Sequence, residues 1–156
     1  MTSKSAFNAE EWETIAEAPV FAGLRVVAAS KGGTIRESLA IAKVYAHARE
    51  GQGESELLDE LVSAPPAVDS QRVREAGGDV AGAARERLGE ALGLLAEHAT
   101  PEEVEQYKRF VVQVADAAAR AHKEGGFIGI GGKEISPEEQ AALDEIQGIL
   151  DGIQGA

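Results

Sequence analysis

The sequence predicts an all-α fold: one helical domain over residues 1–156, with residues 1–6 as a disordered tail and about seven to eight short helices in a bundle. Three observations carry that expectation. Alanine, leucine, glutamate and glycine are abundant while one Trp, two Tyr and four Phe supply the aromatics, a composition suited to helices that approach closely through small side chains. Apolar residues recur three and four apart in one segment after another, and no convincing strand period of two appears. Ser, Thr or Asn followed three positions later by Glu opens several of these segments, which is the signature of a capped helix start.

Asn8 with Glu11 is the first such start, and Phe7 and Trp12 have the spacing to staple the chain that enters it. This helix is expected to reach about Glu17, because Pro19 suits the first turn of a second helix better than the interior of the first. Val20, Phe21, Leu24, Val27 and Ala28 then mark the second helix's apolar face. Thr34 and Glu37 open a third helix to about Arg49, with Ile35, Leu39, Ala42 and Ala46 on one side. A short helix over residues 54–63 carries Leu57, Leu58, Leu61 and Val62 and is stopped by Pro65 and Pro66. Residues 69–76 have the length for another, closed by Gly77 and Gly78.

From Asp79 a longer helix uses Val80, Ala84, Leu88, Leu92 and Leu95, and its Gly82, Gly89 and Gly93 are expected where a neighbouring helix approaches. Thr100, Pro101, Glu102 and Glu103 supply a cap, a proline at the first position and acids facing the positive end of the next helix dipole. Val104, Tyr107, Val111, Val114, Ala118 and Ala121 form its buried seam. Ser136, Pro137, Glu138 and Glu139 repeat that grammar before a last helix carrying Leu143, Ile146, Ile149, Leu150 and Ile153.

Composition bounds the function classes. With no cysteine there is no disulfide, thiolate zinc site or cysteine nucleophile, and a reducing compartment is the simplest setting. Residues 1–6 lack the apolar run of a secretory signal and no stretch is long and apolar enough to span a bilayer, so a cytoplasmic protein is expected. Twenty-seven acidic against fifteen basic residues give a net charge of −12, a field that repels nucleic acid and anionic lipid but admits cations and basic protein surfaces.

The most distinctive stretch is residues 124–139, where Gly125, Gly126, Gly129, Gly131 and Gly132 interrupt the helical pattern around Phe127, Ile128 and Ile130. A phosphate cradle is the obvious functional reading, and the neighbouring residues oppose it. A Walker loop ending at Gly132 and Lys133 would need glycine at Phe127 and Ser or Thr at Glu134. A dinucleotide fingerprint from Gly129 and Gly131 would need a small residue at Glu134 and a preceding strand. The structural reading is a helix-to-helix turn whose hydrophobes fold back on the bundle. The interaction reading leaves Phe127, Ile128 and Ile130 as an apolar tip for a protein partner or for self-association.

The same local grammar occurs twice. Ala28, Ala29, Ser30, Lys31, Gly32 and Gly33 lead into Thr34, Ile35, Arg36 and Glu37; Ala121, His122, Lys123, Glu124, Gly125 and Gly126 lead, after an insertion, into Ile135, Ser136, Pro137, Glu138 and Glu139. These two turns resemble those that join helix pairs in the small helical TerB-like tellurite-resistance family. Lys31 and Glu124 stand where that family's turn has an aspartate. The resemblance implies an all-helical TerB-like fold and a stress-associated accessory role.

Glu124, Glu134, Glu138 and Glu139 gather around the glycine stretch, and together with backbone carbonyls they are the candidate ligands for a divalent cation; no other cofactor is expected. Solvated charge and helix capping are the plainer roles for the same residues. His47, His98 and His122 lie far apart and none completes a Glu-x-x-His pair, which opposes a di-iron bundle. The serines sit in the tail, at caps and at loop starts, with no nucleophile elbow, so no catalytic residue is assigned. The leading expectation is a non-enzymatic TerB-like interaction or accessory protein, with a cation-binding protein as the alternative.

Overall fold

The structure, a computed structural model, describes residues 2–29, 34–51, 55–64, 79–124 and 136–152, apart from the side chains of residues 34–39 and 121–124. These residues form six α-helices and no strand: α1 (Ala9–Ala29), α2 (Thr34–Glu50), α3 (Glu56–Ser63), α4 (Val80–His98), α5 (Pro101–Glu124) and α6 (Pro137–Gly152). The expected short helix at 69–76 and both glycine turns lie outside the described residues.

One helix replaces two at the start of the chain. Proline has no N–H to close the helical bond to the carbonyl four residues back, which is why a break was expected before Pro19. Yet α1 runs unbroken through it. The Tyr107 hydroxyl on α5 donates to the Ile15 carbonyl at 2.7 Å, supplying the partner that residue 19 cannot. Tyr107 and Ile15 are both fully buried, so water could not have served. With this fusion, and with residues 69–76 outside the described residues, the described residues hold six helices against the seven to eight expected.

The uninterrupted α1 is the axis of the bundle. Residues 14–23 are all buried, as befits a helix packed on every side, and α4, α5, α6 and α2 each lie against it. Ile15, Ala18, Val20, Ala22 and Val26 meet Leu88, Leu92 and Leu95 of α4 and Tyr107, Val111 and Val114 of α5 in one hydrophobic core. Gly23 marks the tightest approach, since a β-carbon there would lie 2.7 Å from Ile41 Cδ1 and 3.1 Å from Val114 Cγ1. The glycines of α4 behave otherwise than expected. Among the described residues Gly89 and Gly93 have nothing within 4 Å of a β-carbon, and the atoms nearest one at Gly82 are those of the Asp79 carboxylate that caps its own helix. Among the described residues no second helix comes within 4 Å of a β-carbon at Gly89 or Gly93.

The capped starts form as their sequences dictate. Asn8 and Glu11 exchange side-chain bonds at 2.9 Å each, and the Phe7 and Trp12 rings lie 6.1 Å apart above them. Ser55 Oγ accepts from Leu58 N at α3, and Ser136 and Glu139 bond reciprocally at α6. Residues 2–6, placed by sequence in a tail, carry a 3-10 turn at Lys4–Ala6 and bring Thr2 to the start of α5. No described helix is long and apolar enough to cross a membrane.

Candidate functional site

The residues singled out for cation binding are only partly placed. Glu138 is exposed in the first turn of α6, where the helix dipole favours an acid. Glu139, one position on, is buried, and its Oε2 accepts the Ser136 N–H at 3.2 Å as half of a capping box. Its Oε1 has no hydrogen-bond partner among the described residues. Glu124 ends α5 with a side chain that is not described, and Glu134 lies outside the described residues, as do Phe127, Ile128 and Ile130 of the expected interaction tip. Among the described residues no three His, Asp or Glu side chains converge as a metal site.

Most of the buried polar groups serve architecture. Glu103 accepts from Thr2 N at 2.6 Å, Thr2 Oγ1 at 2.7 Å and Thr100 N at 2.9 Å. Burial alone would push its carboxyl up, but hydrogen bonds from the Thr2 amide and hydroxyl and from Thr100 outweigh that and hold it down at about 2. Glu17 is buried in α1 with the Arg87 guanidinium of α4 at 3.6 Å. On the same side of the bundle Glu145 of α6 takes Arg25 at 2.9 Å and Arg85 at 3.4 Å, tying α1, α4 and α6 together.

A concave surface lies elsewhere, where α2, α3 and α5 meet. This cleft of about 380 Å³ falls within the size range of small ligand sites. The α5 wall presents Gln106, Arg109, Phe110 and Gln113, spaced so that one helix face supplies all four. Leu58, Asp59 and Val62 form the α3 wall, and His47, Ala48 and Gly51 close it from α2. Phe110 and Val62 are buried and make an apolar floor, whereas Arg109, Gln113 and His47 are exposed at the rim. His47 Nδ1 stands 3.6 Å from Glu50.

Two features distinguish the cleft from ordinary helix packing. The Oε1 of Gln106 is buried without a hydrogen-bond partner among the described residues, and Arg109 has neither an ion pair nor a hydrogen bond among them. Nearby, Tyr45 packs edge-on against Phe110 with centroids 5.1 Å apart, and its buried hydroxyl likewise lacks a partner. Burial pushes that hydroxyl's ionisation upward, so Tyr45 stays neutral.

Sequence reasoning did not find the cleft. The signal available was polar Gln106, Arg109 and Gln113 recurring three and four apart beside the apolar seam of α5, which in a sequence is indistinguishable from a solvated helix face. What turns that face into a wall is the placement of α3 across it. No protein-family model, curated protein or solved structure matches this chain.

Proposed function

We propose that this chain is a non-enzymatic, TerB-like protein-interaction module with a stress-associated accessory role, and that the cleft between α2, α3 and α5 is its docking surface. One observation carries the reading: the cleft presents an exposed cation, Arg109, that has neither an ion pair nor a hydrogen bond among the described residues, beside the apolar side chains of Leu58, Val62 and Phe110.

The test is quantitative co-purification from the native cell with wild type, Arg109→Ala and Gln113→Ala, and with Glu90→Ala on the exposed side of α4 as control. A partner retained by Glu90→Ala and lost by the cleft variants supports docking at this surface. Equal recovery by all four rules it out.

Divalent-cation binding is the second reading, favoured by Glu139, whose buried Oε1 has no hydrogen-bond partner among the described residues. Titration of calcium, magnesium or zinc should then raise the melting temperature saturably, and Glu124→Gln should abolish the rise. A melting temperature unmoved by all three ions removes this reading.

A further inference from the structure

We infer that residues 2–7 are a strap that fastens α3 to the body formed by α1, α4 and α5, and that the strap thereby fixes one wall of the cleft. The inference concerns the free chain and does not rest on the cleft being a docking surface. α3 has little to hold it by itself. It is eight residues long, and a helix shorter than about 12–15 residues is marginal in water without tertiary support. Leu57, Leu61 and Val62 give it a buried apolar side, and it lies against α2 and α5.

A second hold on α3 comes from the start of the sequence. The Lys4 amide N–H donates to Glu60 Oε2, 56 residues further along the chain. With 3.6 residues per helical turn, Glu60 projects roughly 150° away from the mean direction of Leu58, Asp59 and Val62, the residues that form the cleft wall. The strap therefore holds that wall from behind.

The strap is anchored on both sides of Lys4. Thr2 N and Thr2 Oγ1 donate to the two Glu103 oxygens at 2.6 and 2.7 Å, and the hydroxyl also stands 3.2 Å from the His98 carbonyl, so residue 2 grips the turn between α4 and α5. At the other end Phe7 is buried, its ring 5.4 Å from that of His98 and 6.1 Å from that of Trp12 on α1. Between them Ala6 N and Phe7 N bond to Ser3 O and Lys4 O, which leaves the Lys4 N–H outside the turn's own bonds. An exposed hydrogen bond from a loose tail would lose most of its strength to the entropy of ordering the tail. Here both ends already fix the backbone, so the bond to Glu60 is preorganised. Docking of residues 2–7 and the order of α3 are then linked, and whatever displaces the strap loosens one wall of the cleft while the core stays closed.

The experiment is native-state hydrogen exchange on the full chain carrying Lys4→Pro, Lys4→Ala or Thr2→Val, with each Lys4 variant repeated in a Glu60→Ala background. Lys4 is the first residue of its turn, and Ser3 before it is extended at φ −110° and ψ 165°, the conformation that a following proline requires. Lys4→Pro therefore keeps the turn and removes the N–H that Glu60 accepts. Both Lys4 variants lose the ammonium that lies 5.8 Å from the Trp12 ring centroid, so the difference between them isolates the bond to Glu60.

Amides of residues 59–63 should exchange about threefold or more faster in Lys4→Pro than in Lys4→Ala, while those of residues 107–115 in α5 keep their rates. In the Glu60→Ala background the two Lys4 variants should exchange alike. Thr2→Val, which touches α3 nowhere, should also quicken residues 59–63, because it frees the far anchor of the strap. Equal α3 rates in the two Lys4 variants, a difference between them that survives Glu60→Ala, α3 rates untouched by Thr2→Val, or an acceleration shared equally by α5 would each overturn the inference.

Discussion

Replacing Tyr107 with Phe isolates the interaction that lets α1 pass through a proline. The substitution keeps the ring, which is fully buried, and deletes only the hydroxyl that donates to Ile15 O at 2.7 Å. Because Ile15 is also fully buried and Pro19 has no N–H, the carbonyl is then left without a donor. Stranding one buried carbonyl costs about 1–3 kcal/mol. For a domain of this size that corresponds to a fall in melting temperature of roughly 2–12 °C.

The control is built into the sequence. Pro19→Ala restores an N–H four residues after Ile15, so in that background Tyr107→Phe should cost less than about 0.5–1 kcal/mol. A double-mutant cycle by urea denaturation therefore yields a coupling energy of about 1 kcal/mol or more between two residues on different helices. The volume lost at residue 19 cancels in the cycle. If Tyr107→Phe costs the same in both backgrounds, the hydroxyl is not standing in for the missing amide and this account of α1 is wrong.

Tyr45→Phe provides the opposite sign on the same core: its hydroxyl is buried without a partner among the described residues, so chemical denaturation should show no loss, or a gain of up to about 1 kcal/mol. Glu103 sets an acid limb. Its carboxyl sits at about 2 instead of its ordinary 4.5, so its contribution is fully present above pH 4.5 and disappears as pH falls through 2. That difference corresponds to about 3 kcal/mol, and Glu103→Gln should remove it at neutral pH and flatten stability over the same window in pH-dependent melts. Gly93→Ala and Gly148→Ala, whose new β-carbons meet nothing within 4 Å among the described residues, should each stabilise by about 0.5–1 kcal/mol. Gly23→Val should cost about 1–3 kcal/mol, as it drives side-chain atoms against Ile41 and Val114; stabilisation there would contradict the close approach of α1 to α2 and α5.

Local starts and seams were legible because their causes are local. Asn8 with Glu11, Ser136 with Glu139 and Thr100 with Glu103 are partners three residues apart, and the Tyr107, Val111, Val114 and Ala118 seam of α5 follows the helical period. The cleft was not legible, since Gln106 and Arg109 acquire their setting only from α2 and α3, tens of residues away in the chain. Gly89 and Gly93 misled for the same reason: glycine permits a close approach without saying whether another helix makes one.

By itself the sequence determined the all-α class, the net charge of −12 and the residues that begin most of the described helices, because composition, period and capping act within a few residues. Only the tertiary structure decided that α1 is one central helix. Local chemistry at Pro19 favours a break, and what overrides it is a hydroxyl 92 residues beyond the Ile15 carbonyl it serves. It also decided where a polar helix face becomes a cleft, since whether Arg109 meets solvent alone or a shaped cavity depends on how distant helices pack against α5.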